Sequence, residues 1–161
     1  MIGTVSSSRK AAYASTFGYD KVVLYDDFEQ SIRELTDGRG VDIVLEAVGE
    51  PIRSQSLAVL APFGRLVIFG NANSDIGNVQ DIPEKPGAFL TENKAIMGYS
   101  IGTLSQSAPH LLAATARQAL DLVAQSQVKI DITDILPLEQ ANEAHRRLES
   151  RSTVGKLLLR V

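Results

Sequence analysis

The chain has 161 residues, 44% hydrophobic and 22% charged, enough for one ordinary core and unlike a disordered polypeptide. No apolar run approaches the roughly 20 residues that span a bilayer, and the opening Met1–Val5 run lacks the length and basic lead of a secretion signal, so the cytoplasm is the default expectation. The absence of Cys excludes disulfides and thiolate metal sites within the chain, and a net charge of −3 argues against broad binding to nucleic acid or an anionic membrane.

In chain order, Ile2–Val5 reads as a strand, and Ser6, Ser7 and Ser8 offer hydroxyl caps to a helix running to about Phe17 and closed by Gly18. Lys21–Tyr25 reads as a second strand. Phe28, Ile32 and Leu35 recur at helical spacing and define one apolar helix face. Asp37-Gly38-Arg39-Gly40 forms the turn into a strand that begins at Val41. Pro51 suits the first turn of the next helix, where a missing N–H costs nothing. Leu57 and Leu60 point inward from that helix, and Pro62-Phe63-Gly64 closes it before the strand Arg65–Phe69. The polar, Gly- and Pro-rich stretch Asn71–Asn93 reads as a long loop, of a length that is usually functional or mobile. Ala95–Ile101 is a strand candidate, and Leu111, Leu112, Ala116, Ala119, Leu122 and Val123 mark a helix of several turns. Lys129–Ile135 alternates as a half-exposed strand does. Glu139–Ser150 is an amphipathic helix with Ala141, Ala144 and Leu148 inward, and Gly155–Val161 ends the chain as a strand.

Gly40–Asn71 is the most informative stretch. The short apolar runs Val41–Leu45 and Arg65–Phe69 lack polar alternation, as expected of parallel strands covered on both faces. Each is followed within a few residues by a glycine, which lets backbone approach a ligand at the carboxyl edge, where open α/β sheets bind cofactors. Strands alternating with helices at this spacing predict an α/β fold with a doubly wound parallel sheet. The strand, G-x-G-x-x-G and helix front of a dinucleotide-binding fold is absent from the sequence.

The segments IGTVSSSRKAAYASTFGYDKVVLYDD, GRGVDIVLEAVG, LAPFGRLVIFGN and LPLEQANEAHRRLESRSTVGKLLL stand in an order and spacing that resemble the carboxyl-terminal half of the medium-chain dehydrogenase/reductase superfamily. Within it the chain is similar to the zinc-independent NADPH:quinone oxidoreductases, the zeta-crystallin group. The resemblance covers most of the chain and implies a Rossmann-like domain lacking its first strand, its glycine-rich loop and the amino-terminal catalytic domain. It divides the chain into a partial NADP-binding domain at residues 1–128, with a long loop at 71–94, and a carboxyl-terminal segment at 129–161. Losing the first strand from the order 3-2-1-4-5-6 exposes two ladder edges. Three remedies are open: direct pairing of the flanking strands, pairing with another copy, or a disordered amino-terminal region.

On this register the second family strand ends in Thr4-Val5-Ser6-Ser7-Ser8-Arg9-Lys10, with hydroxyls and cations where an NAD-selective fold places an acid. Ser6, Lys10 and Tyr25 match the family positions that hold the 2′-phosphate of NADPH, a group that wants hydroxyl donors and a cation. The plainer alternative is a Ser-rich helix cap with solvated Arg9 and Lys10. The resemblance also implies cofactor contact at Val48 and Gly49, at Gly70 and Asn71 towards the nicotinamide end, at Tyr99, Ser100 and Ile101 near the carboxamide, and at Arg151. Against these stand ordinary turn glycines, an edge strand used for dimerisation, and an Arg solvated beside Arg146 and Arg147. His110 and His145 have no metal-ligand neighbours at useful spacing, and no metal site or catalytic acid is nominated.

The expected protein is therefore the cofactor-binding half of an NADPH-dependent oxidoreductase. It delivers hydride to a quinone or an α,β-unsaturated carbonyl, acts as a homodimer, and engages neither nucleic acid nor membrane. The chain alone is expected to bind NADPH weakly without turnover. An enoyl-thioester reductase of the same superfamily and a non-catalytic nucleotide-binding or dimerisation module are the alternatives. A zinc alcohol dehydrogenase fits less well, since NAD-linked members should show an acid near Ser6.

Overall fold

The computed structural model describes residues 1–72 and 86–161, so residues 73–85 of the expected loop lie outside the described residues. Two compact units, Met1–Leu104 and Ser105–Val161, divide the chain.

The first unit alternates strands and helices. It contains β1 (Ile2–Val5), α1 (Ser8–Ala14), β2 (Lys21–Leu24), α2 (Phe28–Leu35), β3 (Val41–Glu46), α3 (Ile52–Ala58), β4 (Leu60–Ile68), α4 (Pro86–Glu92) and β5 (Ala95–Gly98), and it ends within α5 (Ile101–Ser107). All pairings are parallel. β1 pairs with β2 from Ile2↔Lys21 to Val5↔Leu24, and β4 lies between β3 and β5 in a three-stranded sheet, with Leu45↔Val67 and Val67↔Met97 in one row.

Capping residues set the local boundaries. The Ser7 side chain accepts the Lys10 N–H at 3.4 Å to start α1. A 3-10 turn over Ser15–Phe17 ends at Gly18, whose φ of 80° is the left-handed conformation that glycine adopts without a Cβ penalty.

The core of this unit sits under α2. Phe28 and Ile32 are buried against Val23 of β2 and Val59, with Ile2 of β1 and Val41 of β3 packed alongside. The apolar stripe of α2 thus bridges the two sheets, and each such large side chain contributes about 1.5–3 kcal/mol by burial. Leu35, expected on the same stripe, is 43% exposed because it stands at the last turn.

Several expectations are corrected. Of the three remedies for the lost strand, direct pairing of β1 with β3 is not adopted; the two strands belong to separate sheets, and Ile2–Val5 forms a strand beside β2. Pro62-Phe63-Gly64 does not close a helix. α3 stops at Ala58, and these residues form an irregularity inside β4, where the register jumps from Val41↔Leu60 to Ile43↔Arg65 and Phe63 takes a φ of 65°. Leu60 is buried, but from the strand. The polar stretch after Asn71 is not all loop, since α4 occupies its last part.

The second unit comprises α6 (Pro109–Ala124), β6 (Ile132–Pro137), a 3-10 turn at Leu138–Gln140, α7 (Ala141–Glu149) and β7 (Lys156–Arg160), with β6 and β7 parallel. Leu136 and Ala144 are its buried apolar side chains, while Leu148, expected to face inward, is 52% exposed. Among the described residues no helix is long and apolar enough to cross a membrane.

Candidate functional site

Parallel strands place their carboxyl ends on one edge of a sheet, and the residues nominated from sequence in the first unit stand at such edges. Ser6 follows β1 and Tyr25 follows β2. The Tyr25 N–H donates to the Val5 carbonyl at 3.0 Å, so the two strand ends are locked side by side as Ser6 and Tyr25 leave them. Lys10 lies in the first turn of α1. Ser6 is exposed and Lys10 and Tyr25 are half-buried.

The edge of the three-stranded sheet is more tightly built. β3 ends at Glu46 and β4 at Ile68. Beyond them the Phe69 N–H donates to the Glu46 carbonyl at 2.9 Å, and the Ala72 N–H to the Ala47 carbonyl at 3.0 Å. These bonds continue the pairing beyond the strand ends and bring the loop that starts at Ala47 beside Phe69-Gly70-Asn71. A Cβ on Gly70 would stand 3.0 Å from the Ala47 carbonyl oxygen, so the closeness of the two loops favours glycine there. Gly49 needs glycine for a different reason, its φ of 94°.

Two residues that the sequence reading passed over organise this edge. Glu46 and Arg53 are buried, 2% and 4% exposed. Glu46 Oε1 accepts the N–H groups of Val48 and Gly49, both at 2.6 Å, and Oε2 accepts Arg53 Nε at 2.9 Å. Arg53 Nη2 donates to the Gly70 carbonyl at 3.2 Å and to Asn71 Oδ1 at 3.1 Å. Burying two charges is tolerable only when they are paired and hydrogen-bonded in this way. The signal in the sequence was an acid ending an apolar strand, followed seven residues later by a cation in the first turn of a helix.

Tyr99 and Ser100 follow β5 at the same edge. The Tyr99 N–H donates to the Ile68 carbonyl at 2.9 Å, and Ser100 Oγ accepts the Thr103 N–H at 3.2 Å, so Ser100 caps α5, where Ile101 is the first residue. Val48, Gly49, Gly70, Asn71, Tyr99 and Ser100 therefore share one strand-end edge. Arg151 belongs to the second unit, where it follows α7 with a φ of 54° and is exposed.

This chain belongs to the zinc-binding dehydrogenase family, whose profile matches residues 17–159. It is similar to the quinone oxidoreductase of Pseudomonas aeruginosa, 31% identical over 99% of this chain and 48% of the relative, and to the 2-haloacrylate reductase of a Burkholderia species, 27% identical over 99% and 47%. The structure superposes on the Escherichia coli quinone oxidoreductase complexed with NADPH with a TM-score of 0.83 at 29% identity, covering 98% of this chain and 48% of that one. The chain thus spans about half the length of the curated relatives it matches. The fold is Rossmann-like, with parallel strands, as in these oxidoreductases of the medium-chain dehydrogenase/reductase superfamily.

The description of the matching family names zinc. The sequence has no Cys, and no three His, Asp or Glu side chains among the described residues gather where they could hold a metal ion.

Proposed function

We propose that this chain is the nucleotide-binding half of an NADPH-dependent, zinc-independent oxidoreductase whose electron acceptor is a quinone or an α,β-unsaturated carbonyl. The carrying observation is the strand-end edge built by Glu46, Arg53 and the Gly70–Ala47 approach, in a fold shared with a quinone oxidoreductase complexed with NADPH. The bound nicotinamide supplies the hydride. Ser6, Lys10 and Tyr25 hold the 2′-phosphate; Ser6 and Tyr25 leave adjacent parallel strands, and Lys10 brings a cation from α1. The backbone of half-buried Val48, Gly70 and Asn71 and of buried Gly49 lies along the dinucleotide, with Tyr99, Ser100 and Ile101 at the carboxamide; Arg151 is proposed as a cofactor contact on the family resemblance alone.

The acceptor class is supported by the names of two relatives, a quinone oxidoreductase and a 2-haloacrylate reductase, since quinones and acrylates are both electron-poor conjugated systems. A homodimer formed along β5 fits that strand's place at the end of the sheet, with Met97 and Tyr99 about half exposed, and we place the protein in the cytoplasm.

Titration of the chain with NADPH and NADH tests the cofactor reading. NADPH is expected to bind more tightly, and equal affinities would overturn it. Assay of a protein spanning the relatives' full length with a quinone and with a 2-enoyl thioester tests the acceptor. Turnover confined to the thioester would replace this reading with the enoyl-thioester reductase.

A further inference from the structure

The Glu46–Arg53 pair is more elaborate than the fold requires. A buried ion pair is seldom more stabilising than apolar side chains of the same volume, so its presence points to a geometric task. Every contact of the pair described above falls on the two loops of the candidate site or on the partner charge. Glu46 Oε1 gathers the Val48 and Gly49 amides, and Arg53 Nη2 gathers the Gly70 carbonyl and the Asn71 side chain. The Arg53 backbone N–H also donates to the Gly49 carbonyl at 3.0 Å, so α3 starts from the first loop while its guanidinium holds the second. Guanidinium only donates hydrogen bonds. The Asn71 carboxamide must therefore turn its oxygen towards Arg53, which fixes the direction of its NH2 group.

We propose that Glu46 and Arg53 are positioning residues for the nicotinamide end of the dinucleotide, with Arg53 setting the orientation of the Asn71 carboxamide and the spacing between the Val48–Gly49 and Gly70–Asn71 loops. This rests on the dinucleotide reading above for the identity of the ligand. Neither residue touches the cofactor. Asn71 and the loop backbone do so, and the pair acts through them.

The test uses the whole chain, with Arg53→Lys, Asn71→Ala and the double variant, followed by two-dimensional amide NMR. Arg53→Lys keeps a cation beside Glu46 but has no planar fork to reach both Gly70 and Asn71. In the ligand-free chain this variant should speed hydrogen exchange at Val48, Gly49 and Ala72 together and leave the β1–β2 amides unchanged. On titration it should weaken NADPH by about tenfold, the scale of one hydrogen bond to a charged group. It should leave 2′-phospho-ADP-ribose, which lacks the nicotinamide, within about twofold of wild type on the same scale. The double variant should bind NADPH no more weakly than the worse single variant, because both changes remove one unit.

Equal weakening of both ligands, additive losses, or unchanged exchange in the two loops would each overturn the positioning role. A wild-type chain that takes up 2′-phospho-ADP-ribose and NADPH with equal affinity also overturns it while leaving the dinucleotide reading standing. A wild-type chain that takes up neither overturns the dinucleotide reading and this role with it, whatever the loop exchange shows.

Discussion

Gly70 approaches Ala47 so closely that a Cβ added at position 70 would lie 3.0 Å from the Ala47 carbonyl oxygen and 3.1 Å from its Cβ. The contact joins the loops after β3 and β4, and the atoms in the way are backbone and a short side chain, which cannot swing aside. Gly70→Ala should force the loops apart by a few tenths of an ångström. Gly70→Val should cost about 1–3 kcal/mol, the range for overpacking a tight site. Urea unfolding measures the cost, and NADPH titration should show the affinity falling in the same order, Gly over Ala over Val. Unchanged affinity in Gly70→Val would detach this edge from cofactor binding.

Gly40 and Gly38 allow a cleaner separation of two effects. Both take positive φ, 87° and 79°, but a Cβ at Gly40 would sit 2.4 Å from the Val59 carbonyl oxygen, whereas nothing lies within 4 Å at Gly38. The Val59 carbonyl accepts the Val41 N–H at 2.9 Å and so opens the β3–β4 ladder. Gly38→Ala should cost about 1–2 kcal/mol from the left-handed backbone alone. Gly40→Ala should cost at least about 1 kcal/mol more, because that hydrogen bond must move or break. Equal melting temperatures for the two variants would refute the close approach.

Much of the fold was legible because its elements announce themselves locally. Gly18 closes α1 and its 3-10 turn, Phe28 and Ile32 mark the buried stripe of α2, and Pro51 stands at the start of α3, as their spacing predicts. The misreading at Pro62-Phe63-Gly64 has a physical cause. Pro and Gly usually end elements, but here they sit at a register irregularity, where a strand tolerates both. The glycines of the site were legible as residues just past strand ends, expected there for approach to a ligand; the fold itself asks for them through the positive φ of Gly49 and the nearness of Gly70 to Ala47. Glu46 and Arg53 were not legible, because an acid at the end of an apolar run and an Arg on a helix read singly as surface charges. Only the folding of α3 back across the edge pairs them, and that seven-residue spacing becomes a contact only in three dimensions.

At the other strand-end edge, the nucleotide preference should be movable. Ser6 and Lys10 are the hydroxyl and the cation assigned to the 2′-phosphate, and neither is buried in the core. Lys10→Ala should lower NADPH affinity by about tenfold, as expected for loss of one charged hydrogen bond, with little effect on NADH. Ser6→Asp should repel the phosphate and offer a carboxylate to an unphosphorylated ribose, which shifts preference towards NADH. Parallel titrations with the two nucleotides check both. A Lys10→Ala chain that loses NADH and NADPH affinity alike would assign Lys10 to α1 rather than to the phosphate.

In the second unit, acid should loosen α7. Arg147 donates through Nε to Glu143 at 2.9 Å and through Nη1 to Asp134 at 2.8 Å, so one guanidinium ties the helix to the strand. The Arg147 hydrogen bond, helped by the nearby charge of Arg146, holds the Glu143 carboxyl below its ordinary 4.5, and Arg147 is itself held above its usual range by the Glu143 and Asp134 carboxylates. Because the folded value of Glu143 is depressed, the unfolded chain takes up its proton first as pH falls. The stabilisation is therefore complete above the unfolded value and fades as pH drops through the folded one. Arg147 has the opposite sign, and its contribution is lost only at strongly alkaline pH. These groups are solvent-accessible, so the effect is modest and salt-screened. Amide exchange of α7 should quicken as pH falls below the ordinary 4.5 of Glu143. Arg147→Ala should flatten that pH dependence, and 1 M salt should blunt it, since screening then acts within roughly 3 Å. An unaltered acid slope in Arg147→Ala would show that the Glu143–Arg147 pair carries none of the pH dependence.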